Sequence, residues 1–321
     1  MTTGLTSLEL CAGAGGQARG LERAGFDHAG VVEIDADCCK TLSLNRPQWR
    51  VHEQDLNLFD GTGYRGIDLL AGGLPCPPFS VAGKQLGKDD ERNLFPAAIR
   101  LVDETRPKAI MIENVRGFLG AVFEDYRGFI RNELKKLGYE AQWRLLNACD
   151  YGVPQLRPRV IIVALRDDLK DGFEWPVPSR INAPTVGETP GDLMAERGWL
   201  GAKAWAARAD DIAPTLVGGS KKHGGPDLGP TRARQAWASL GVNGKTLADL
   251  APDPDFVGMP KLTVRMAARI QGFDDDWQFH GRKTAAYRQV GNAFPPPVAA
   301  AVAEQLKLMM QRRTLYRAFG G

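Results

Sequence analysis

The sequence predicts an α/β protein: a doubly wound, mostly parallel sheet with a smaller, loop-rich domain. Three observations support this prediction. Short apolar runs alternate with helical segments through the first half of the chain, acidic residues follow several of these runs, and the periodicity weakens after about residue 168. Alternating strands and helices are typical of parallel βαβ units, and ligands bind such sheets beyond the carboxyl ends of the strands.

The apolar runs also locate the individual strands and helices. Strands are predicted at residues 5–10, in a segment that ends near Glu33 and Asp35, at Val51, at 67–71 and at 109–112. One helix spans residues 17–24, where Gly25 is placed to end it, and the next helix ends before Asn45. Residues at or just after the strand ends gather along one rim of the predicted sheet: Glu33, Asp55, Cys76 and Glu113.

The change in pattern also predicts the domain boundaries. Residues 1–168 are expected to form the larger domain, and residues 169–260, which are rich in Pro, Gly and Trp, the smaller one. Residues 261–321 are expected to return to the larger domain, so that the smaller domain is an insertion. A stripe at helical spacing supports this return and is expected to face the core: Val298, Val302, Leu306 and Met309.

Composition limits the class of protein. Hydrophobic residues make up 43% and charged residues 25% of the 321 positions, which is typical of a folded chain. The net charge of +3 indicates a polyanionic partner only if the positive charge is concentrated locally. No apolar run has bilayer length and no secretory leader is recognisable, so a cytoplasmic location is expected. Five scattered cysteines favour reduced thiols, and the adjacent Cys38 and Cys39 lack zinc-site spacing, so no metal is predicted.

A glycine-rich loop, residues 11–16, follows the first predicted strand. Alone it fits a plain tight turn as well as a nucleotide-binding turn. Glu33 lies about twenty residues further on, where a carboxylate can accept hydrogen bonds from ribose hydroxyls, and Asp55 could receive an adenine amino group. Either acid could instead be a solvated loop carboxylate. Nothing here requires phosphate, so a nucleoside such as S-adenosylmethionine fits as well as a dinucleotide.

Cys76 is the candidate nucleophile. It lies in the segment Gly-Gly-Leu-Pro-Cys-Pro-Pro-Phe-Ser, residues 72–80, just after a predicted strand. Prolines on both sides restrict the backbone, and a rigidly held, accessible thiolate suits nucleophilic attack. A buried structural cysteine is the usual alternative, but the neighbouring prolines and glycines argue against a core position.

Two further polar groups follow strand ends. Glu113, in Glu-Asn-Val, could donate a proton to a heterocycle, although a helix-capping acid is the alternative. Gln155, Arg157 and Arg159 alternate before an apolar run. In an extended strand they would share one face and suit phosphate and base contacts, whereas the alternative is a pair of surface arginines.

These segments together resemble the DNA cytosine-5 methyltransferases over almost the whole chain. The resemblance rests on six segments in the family's order: the loop beginning Leu-Glu-Leu-Cys-Ala-Gly, Pro75-Cys76, Glu113-Asn114-Val115, Gln155-x-Arg157-x-Arg159, residues 262–273 and residues 287–293. Two positions depart from the family, which often has an aromatic residue where Cys11 stands and Gln where Pro77 stands.

The resemblance implies a Rossmann-like catalytic domain that uses S-adenosylmethionine, yields S-adenosylhomocysteine and modifies double-stranded DNA. Cys76 would attack carbon 6 of a flipped-out cytosine, Glu113 would hold the N3 edge, and Arg159 would contact the base carbonyl. Arg157, also expected among the catalytic residues, would contact the backbone or the loop. The implied cofactor residues are Cys11, Ala12, Gly13, Gly15, Gly16, Glu33, Ile34, Asp55, Leu56, Pro75, Asn292 and Ala293.

The smaller domain would then recognise the target sequence. Residues 201–245 hold seven basic and three acidic residues, a net +4, which exceeds the charge of the whole chain. The expected DNA contacts are Ser80, Gln85, Lys88, Gln155, Lys221, Lys222, His223, Arg232 and Arg234.

Three alternatives remain open at this point: a tRNA cytosine-5 methyltransferase, a catalytically silent DNA-binding protein, and a nicotinamide-dependent oxidoreductase. We expect a monomer, accompanied in a restriction-modification system by a cognate endonuclease.

Overall fold

The computed structural model describes residues 4–75, 93–179, 181–219 and 225–319. In chain order the strands and α-helices are β1 (Leu5–Leu10), α1 (Gly16–Ala24), β2 (Phe26–Glu33), α2 (Ala36–Asn45), β3 (Val51–Glu53), β4 (Leu69–Gly73), α3 (Phe95–Thr105), β5 (Ala109–Val115), α4 (Glu124–Lys136), β6 (Tyr139–Asn147), β7 (Pro158–Arg166), α5 (Gly191–Ala195), α6 (Ala202–Arg208), α7 (Thr231–Ser239), α8 (Val264–Gln271), α9 (Lys283–Asn292) and α10 (Pro296–Phe319).

The chain forms two compact units. The first unit comprises residues 1–146, 158–177 and 298–321, and the second comprises 147–157 and 178–297. The larger unit therefore resumes at Val298, whereas the sequence placed the return at residue 261. Helices α8 and α9, which the expected boundaries assigned to the larger domain, pack against each other inside the second unit.

The first unit is built on a seven-stranded sheet in the order β3-β2-β1-β4-β5-β7-β6. β1 runs parallel to β2 and β4, β2 parallel to β3, and β4 parallel to β5, whereas β7 is antiparallel to β5. The predicted doubly wound, mostly parallel sheet is confirmed. The winding reverses between β1 and β4, so a binding crevice is expected at the carboxyl ends of these two strands.

Apolar side chains fill the space between this sheet and its helices. Leu8 and Leu10 of β1 and Ile110 and Ile112 of β5 pack with Leu101 of α3 in one buried cluster. The stripe on α10 is also buried, as its helical spacing predicted: Val298, Val302, Leu306 and Met309. No described helix combines the length and the hydropathy needed to cross a membrane.

Two strand ends differ from the sequence prediction. β5 continues to Val115 instead of ending at Glu113, because β7 pairs with its last residues: Asn114 lies opposite Val160, and Val115 opposite Arg159. β4 spans Leu69–Gly73 rather than 67–71, with Gly73 opposite Glu113. The longer β5 places Glu113 and Asn114 inside the sheet ladder, where the neighbouring strands fix their orientation.

Candidate active site

The loop after β1 turns through conformations that favour glycine. Gly13 and Gly15 have φ angles of 54° and 86°, and Cys11 adopts the same left-handed region at 50°. The N–H of Ala12 donates to the carbonyl of Val32 (3.1 Å), which fastens the loop to β2. A Cβ on Gly72 of β4 would lie 2.7 Å from the carbonyl oxygen of Leu10. Only glycine therefore allows the two strands to lie this close where the winding reverses.

Glu33 organises the end of β2. Its Oε2 accepts from the N–H of Gly13 (2.7 Å), and its Oε1 accepts from the N–H groups of Ile34 and Asp35 (both 2.8 Å). The side chain is largely buried, and these three bonds fix its direction. A carboxylate has about four acceptor sites, so Glu33 can still accept a hydrogen bond from a ribose hydroxyl.

The region around Cys11 is strongly acidic. Burial raises the pKa of the Cys11 thiol well above its usual value, and the nearby carboxylates of Glu33 and Asp55 raise it further. Such surroundings disfavour a pyrophosphate and favour a ligand with positive charge. Space is also open at Gly13, where a Cβ would meet nothing within 4 Å. The residues present therefore fit a cationic nucleoside such as S-adenosylmethionine better than a dinucleotide.

The other cofactor residues expected in this unit follow the ends of β1, β2, β3 and β4. Asp55 follows β3, and its Oδ1 accepts from the backbone and side-chain nitrogens of Asn57 (2.9 and 3.1 Å). Ile34 is 66% exposed although it is apolar, whereas Leu56 is buried in the core cluster. Pro75 is the last residue described before the gap at 76–92. Ala12 and Gly16 are buried, with Gly16 opening α1.

Glu113 and Arg159 form an ion pair at the rim of the sheet. The Nε of Arg159 lies 2.7 Å from Oε1 of Glu113, and the two side chains are only 14% and 9% exposed. Nη1 of Arg159 donates to the carbonyl of Pro158 (2.9 Å). A Cβ on Gly73 would lie 3.4 Å from Oε2 of Glu113, so β4 leaves the sheet directly beside this carboxyl. Glu113 is thus a strand residue held by a guanidinium, not a helix cap.

The Gln155-x-Arg157-x-Arg159 segment does not present one face, contrary to the sequence prediction. β7 begins only at Pro158, so Gln155 and Arg157 precede it and belong to the second unit. The guanidinium of Arg157 is almost fully buried and donates to the carbonyls of Leu216 (2.7 Å), Gly291 and Ala293 (both 2.9 Å). These contacts hold protein backbone of the second unit and leave Arg157 away from solvent.

The side-chain amide of Gln155 also forms its hydrogen bonds inside the second unit. Its Nε2 donates to Oε1 of Gln271 (2.7 Å), and its Oε1 accepts from the N–H of Leu216 (2.9 Å). The side chain of Gln155 has no exposed surface, which does not fit the DNA contact predicted for it.

Of the remaining expected residues, some lie in the second unit and the others lie outside the described residues. Asn292 donates from Nδ2 to the carbonyl of Gly219 (3.1 Å), and the carbonyl of Ala293 accepts from Arg157 and Gln271. Arg232 is exposed and Arg234 half-buried on α7. Outside the described residues lie Cys76, Ser80, Gln85, Lys88, Lys221, Lys222 and His223.

The chain matches the sequence profile of the C-5 cytosine-specific DNA methylase family over residues 5–308. It is a member of this family. The enzyme is 58% identical over 304 residues to the Type II methyltransferase M.NgoMIV of Neisseria gonorrhoeae, covering 94% of this chain and 96% of that protein. It is 54% identical to M.NaeI of Lentzea aerocolonigenes, covering 94% and 75% of the two chains.

Solved structures show the same fold. An Escherichia coli prophage protein described as a DNA modification methyltransferase aligns with a TM-score of 0.70 at 26% identity, over 96% of this chain and 99% of that one. A Spodoptera frugiperda DNMT2 variant aligns at 0.63 and 18% identity, over 95% and 99% of the two chains. The family match and the Type II relatives together show that the enzyme transfers a methyl group from S-adenosylmethionine to carbon 5 of cytosine in DNA, as the sequence motifs predicted.

Some residues that matter to the site were not identified from the sequence. Glu9 lies in β1, directly before the cofactor loop, and is fully buried, and neither of its carboxylate oxygens has a hydrogen-bond partner among the described residues. Burial raises the pKa of this carboxyl well above its usual value. The acid in Leu-Glu-Leu is the only sequence signal, because an ionisable residue is out of place in a buried strand. Gln271, the partner of Gln155, gave no comparable signal.

Proposed function

We propose that the enzyme methylates one cytosine in a specific duplex sequence, by flipping that base out of the helix and attacking it with Cys76. The observation that carries this proposal is the buried Glu113–Arg159 pair beside Gly73. Gly73 precedes Cys76 by three positions along the chain. A cytosine stacked in a duplex cannot reach a recessed acid and guanidinium, so the target base must leave the stack.

The chemistry divides between three side chains. The Cys76 thiolate forms a bond to carbon 6, and the ring electrons move toward carbon 5 and N3. Glu113 supplies or shares a proton at N3, where charge develops, and Arg159 donates to the base carbonyl at position 2. Carbon 5 would then take the methyl group as the bond from that methyl to sulfur breaks, which leaves S-adenosylhomocysteine. A base would take the proton from carbon 5, the bond between carbon 6 and Cys76 would break, and N3 would return its proton to Glu113. Covalent catalysis thus replaces one difficult step with easier ones.

S-adenosylmethionine supplies an electrophilic methyl group when it is bound. Glu33 would accept from the ribose hydroxyls, because its direction is already fixed by three backbone N–H groups. Asp55 would accept from the adenine amino group, and the exposed Ile34 offers an apolar surface to the adenine ring. The acidic surroundings of Cys11 would favour the positive sulfonium.

A methyl-transfer assay with cysteine variants tests the proposal. Wild-type enzyme, Cys76→Ser and Cys149→Ser would be incubated with tritiated S-adenosylmethionine and duplex DNA, and the modified base identified. Cys149 is a matched control, since it is a free, partly exposed thiol of the second unit. We expect label in 5-methylcytosine with wild type and Cys149→Ser, and none with Cys76→Ser.

Duplex DNA containing 5-fluorocytosine adds a direct test of the covalent step. Fluorine at carbon 5 cannot leave as a cation, so the final elimination stalls and the enzyme stays bonded to the DNA. A denaturation-resistant complex is expected with wild type and not with Cys76→Ser. Methyl transfer by Cys76→Ser, or a preference for RNA over DNA, would contradict the proposed mechanism or substrate.

We further propose that the enzyme acts as a monomer in the cytoplasm, alongside an endonuclease that cleaves the same unmethylated sequence. The Type II relatives support the endonuclease. DNA methylated by the enzyme should resist that nuclease, and light scattering should give a mass near 35.0 kDa.

A further inference from the structure

The second unit contains a small cavity with charged groups of both signs on its wall. Its volume is about 320 Å³, and much of its lining is backbone, contributed by glycines that include Gly218, Gly219 and Gly225. Among the described residues, the charged side chains that line it are Asp227 and Arg234. This volume lies at the lower end of the range for ligand pockets, so the cavity suits a small planar edge rather than a large ligand.

The acid and the guanidinium do not pair with each other. Oδ1 of Asp227 accepts from the N–H of Gly229 (2.9 Å), and Arg234 makes only a long contact of 3.5 Å, from Nη2 to Oγ1 of Thr231, among the described residues. Asp227 and Arg234 are both only partly exposed and line the cavity, and polar groups without protein partners take their hydrogen bonds from water or from a ligand. Both side chains therefore keep donors and acceptors for a ligand.

One wall of the cavity is rigidly held. Leu216, just before it, is tied through its carbonyl to Arg157 (2.7 Å) and through its N–H to Gln155 (2.9 Å). A Cβ on Gly218 would lie 2.3 Å from the carbonyl oxygen of Arg288, so the backbone runs directly against α9. Asn292 bonds the carbonyl of Gly219. The buried motif residues thus fix the position of the glycine wall.

The opposite wall is fixed by the packing of α7. Trp237 anchors the helix in the interior of the unit, with no exposed surface. The stem of Arg234 lies against Gly244, where a Cβ would be 3.3 Å from its Cγ, and Gly244 accepts a hydrogen bond from the N–H of Leu228 (3.0 Å). A pre-organised pair of charged groups loses little freedom on binding, which favours selectivity.

We propose that this cavity is a base-reading pocket, which receives the major-groove edge of one G·C base pair of the target, with Arg234 directed at guanine and Asp227 at cytosine. Arginine matches the O6 and N7 acceptors of guanine, and a carboxylate accepts from the N4 amino group of cytosine. The glycine wall lets the base edge come close to the backbone. The net +4 of residues 201–245 draws the phosphates toward this segment. The inference rests on the sequence-specific DNA recognition proposed above.

The test is to determine which sequences each variant methylates. Wild type, Arg234→Ala, Arg234→Lys, Asp227→Asn and Arg232→Ala would act on a library of random duplex DNA, and the context of each 5-methylcytosine would be sequenced. Arg234→Ala and Asp227→Asn should lose discrimination at the same G·C pair, by about 10- to 100-fold, with the rest of the consensus unchanged. Arg234→Lys should lose part of it, because lysine cannot form the two-pronged contact.

Arg232 is the matched comparison, since it is exposed on the same helix and two residues away, on a different face. Arg232→Ala should slow methylation of all sequences alike and reduce the salt dependence of binding. Replacing guanine by 7-deazaguanine at the affected pair should slow wild type and leave Arg234→Ala unchanged.

Three outcomes would overturn the inference: an unchanged consensus in both pocket variants, relaxation at an A·T pair, or relaxation at different pairs in the two variants. A wild-type enzyme that methylates without sequence preference would instead contradict the proposed function.

Discussion

The first unit and the second unit differ in how their buried backbone groups find hydrogen-bond partners. In the first unit, apolar side chains pack between a seven-stranded sheet and its helices, and the sheet satisfies its own backbone. In the second unit the helices are short, and buried polar side chains such as Arg157, Gln155 and Gln271 bind loop backbone directly. Where regular ladders are few, backbone carbonyls need other donors, and long polar side chains supply them.

This difference separates the roles of motif residues that are close in sequence. Arg159 lies in the sheet and meets Glu113, whereas Arg157, two positions earlier, is buried among carbonyls of the second unit. We therefore propose that Arg159 takes part in the chemistry and that Arg157 supports the fold of the second unit. Replacing Arg159 or its partner should therefore lower mainly the methylation rate, whereas replacing Arg157 should lower mainly the stability of the second unit.

The largest effect is expected at the sheet rim. Glu113→Gln removes the acid and should lower the single-turnover methylation rate by about 10²- to 10⁴-fold, with cofactor binding unchanged. The double variant Glu113→Gln/Arg159→Gln tests whether Glu113 acts in the chemistry or only pairs with Arg159. The double variant removes both charges and should regain any lost thermal stability, because no buried charge is left unpaired. The double variant should not regain methylation activity. Recovery of the methylation rate would mean that the pair has only a structural role.

A somewhat smaller effect, on stability, is expected in the second unit. Arg157→Met leaves the buried carbonyls of Leu216, Gly291 and Ala293 without this donor and should cost about 3 kcal/mol. Hydrogen exchange should speed up at residues 213–218 and 289–293 while the sheet of the first unit stays protected.

Arg197→Met is the matched control for this variant, since Arg197 makes an exposed ion pair with Asp253 in the same unit. It should cost less than about 1 kcal/mol. Equal losses from the two replacements would contradict the supporting role of Arg157.

The smallest expected effect is a gain in stability when Glu9, the buried acid of β1, is replaced. The raised pKa of Glu9 means that the folded enzyme retains a proton that the unfolded chain releases. Stability is therefore lost as pH rises above the unfolded pKa, about 4.3, until the folded pKa is passed. Glu9→Gln should stabilise the enzyme by about 1 to 3 kcal/mol at neutral pH. The difference in melting temperature should grow as pH rises above the unfolded pKa, and a constant difference would mean that Glu9 does not titrate this way.

Local patterns in the sequence determined much of this protein. The apolar runs located β1, β2, β3 and β5, Gly25 ended α1 in the left-handed conformation, and the motifs identified the family and its reaction. These features depend on neighbours a few residues apart, which a pattern records. Glu33 and Glu113 could be placed at one rim of the sheet because parallel strands end on the same side.

Only the tertiary structure decided what each polar side chain meets. Gln155, Arg157 and Arg159 alternate in sequence as if on one strand face, yet the partners of Arg157 come from residues 59 to 136 positions away and withdraw it from solvent. Likewise, nothing local indicates that Asp227 and Arg234 line one cavity. Hydrogen-bond partners of buried groups are set by which distant backbone segments pack together, and that information lies in the whole fold rather than in any window of the chain.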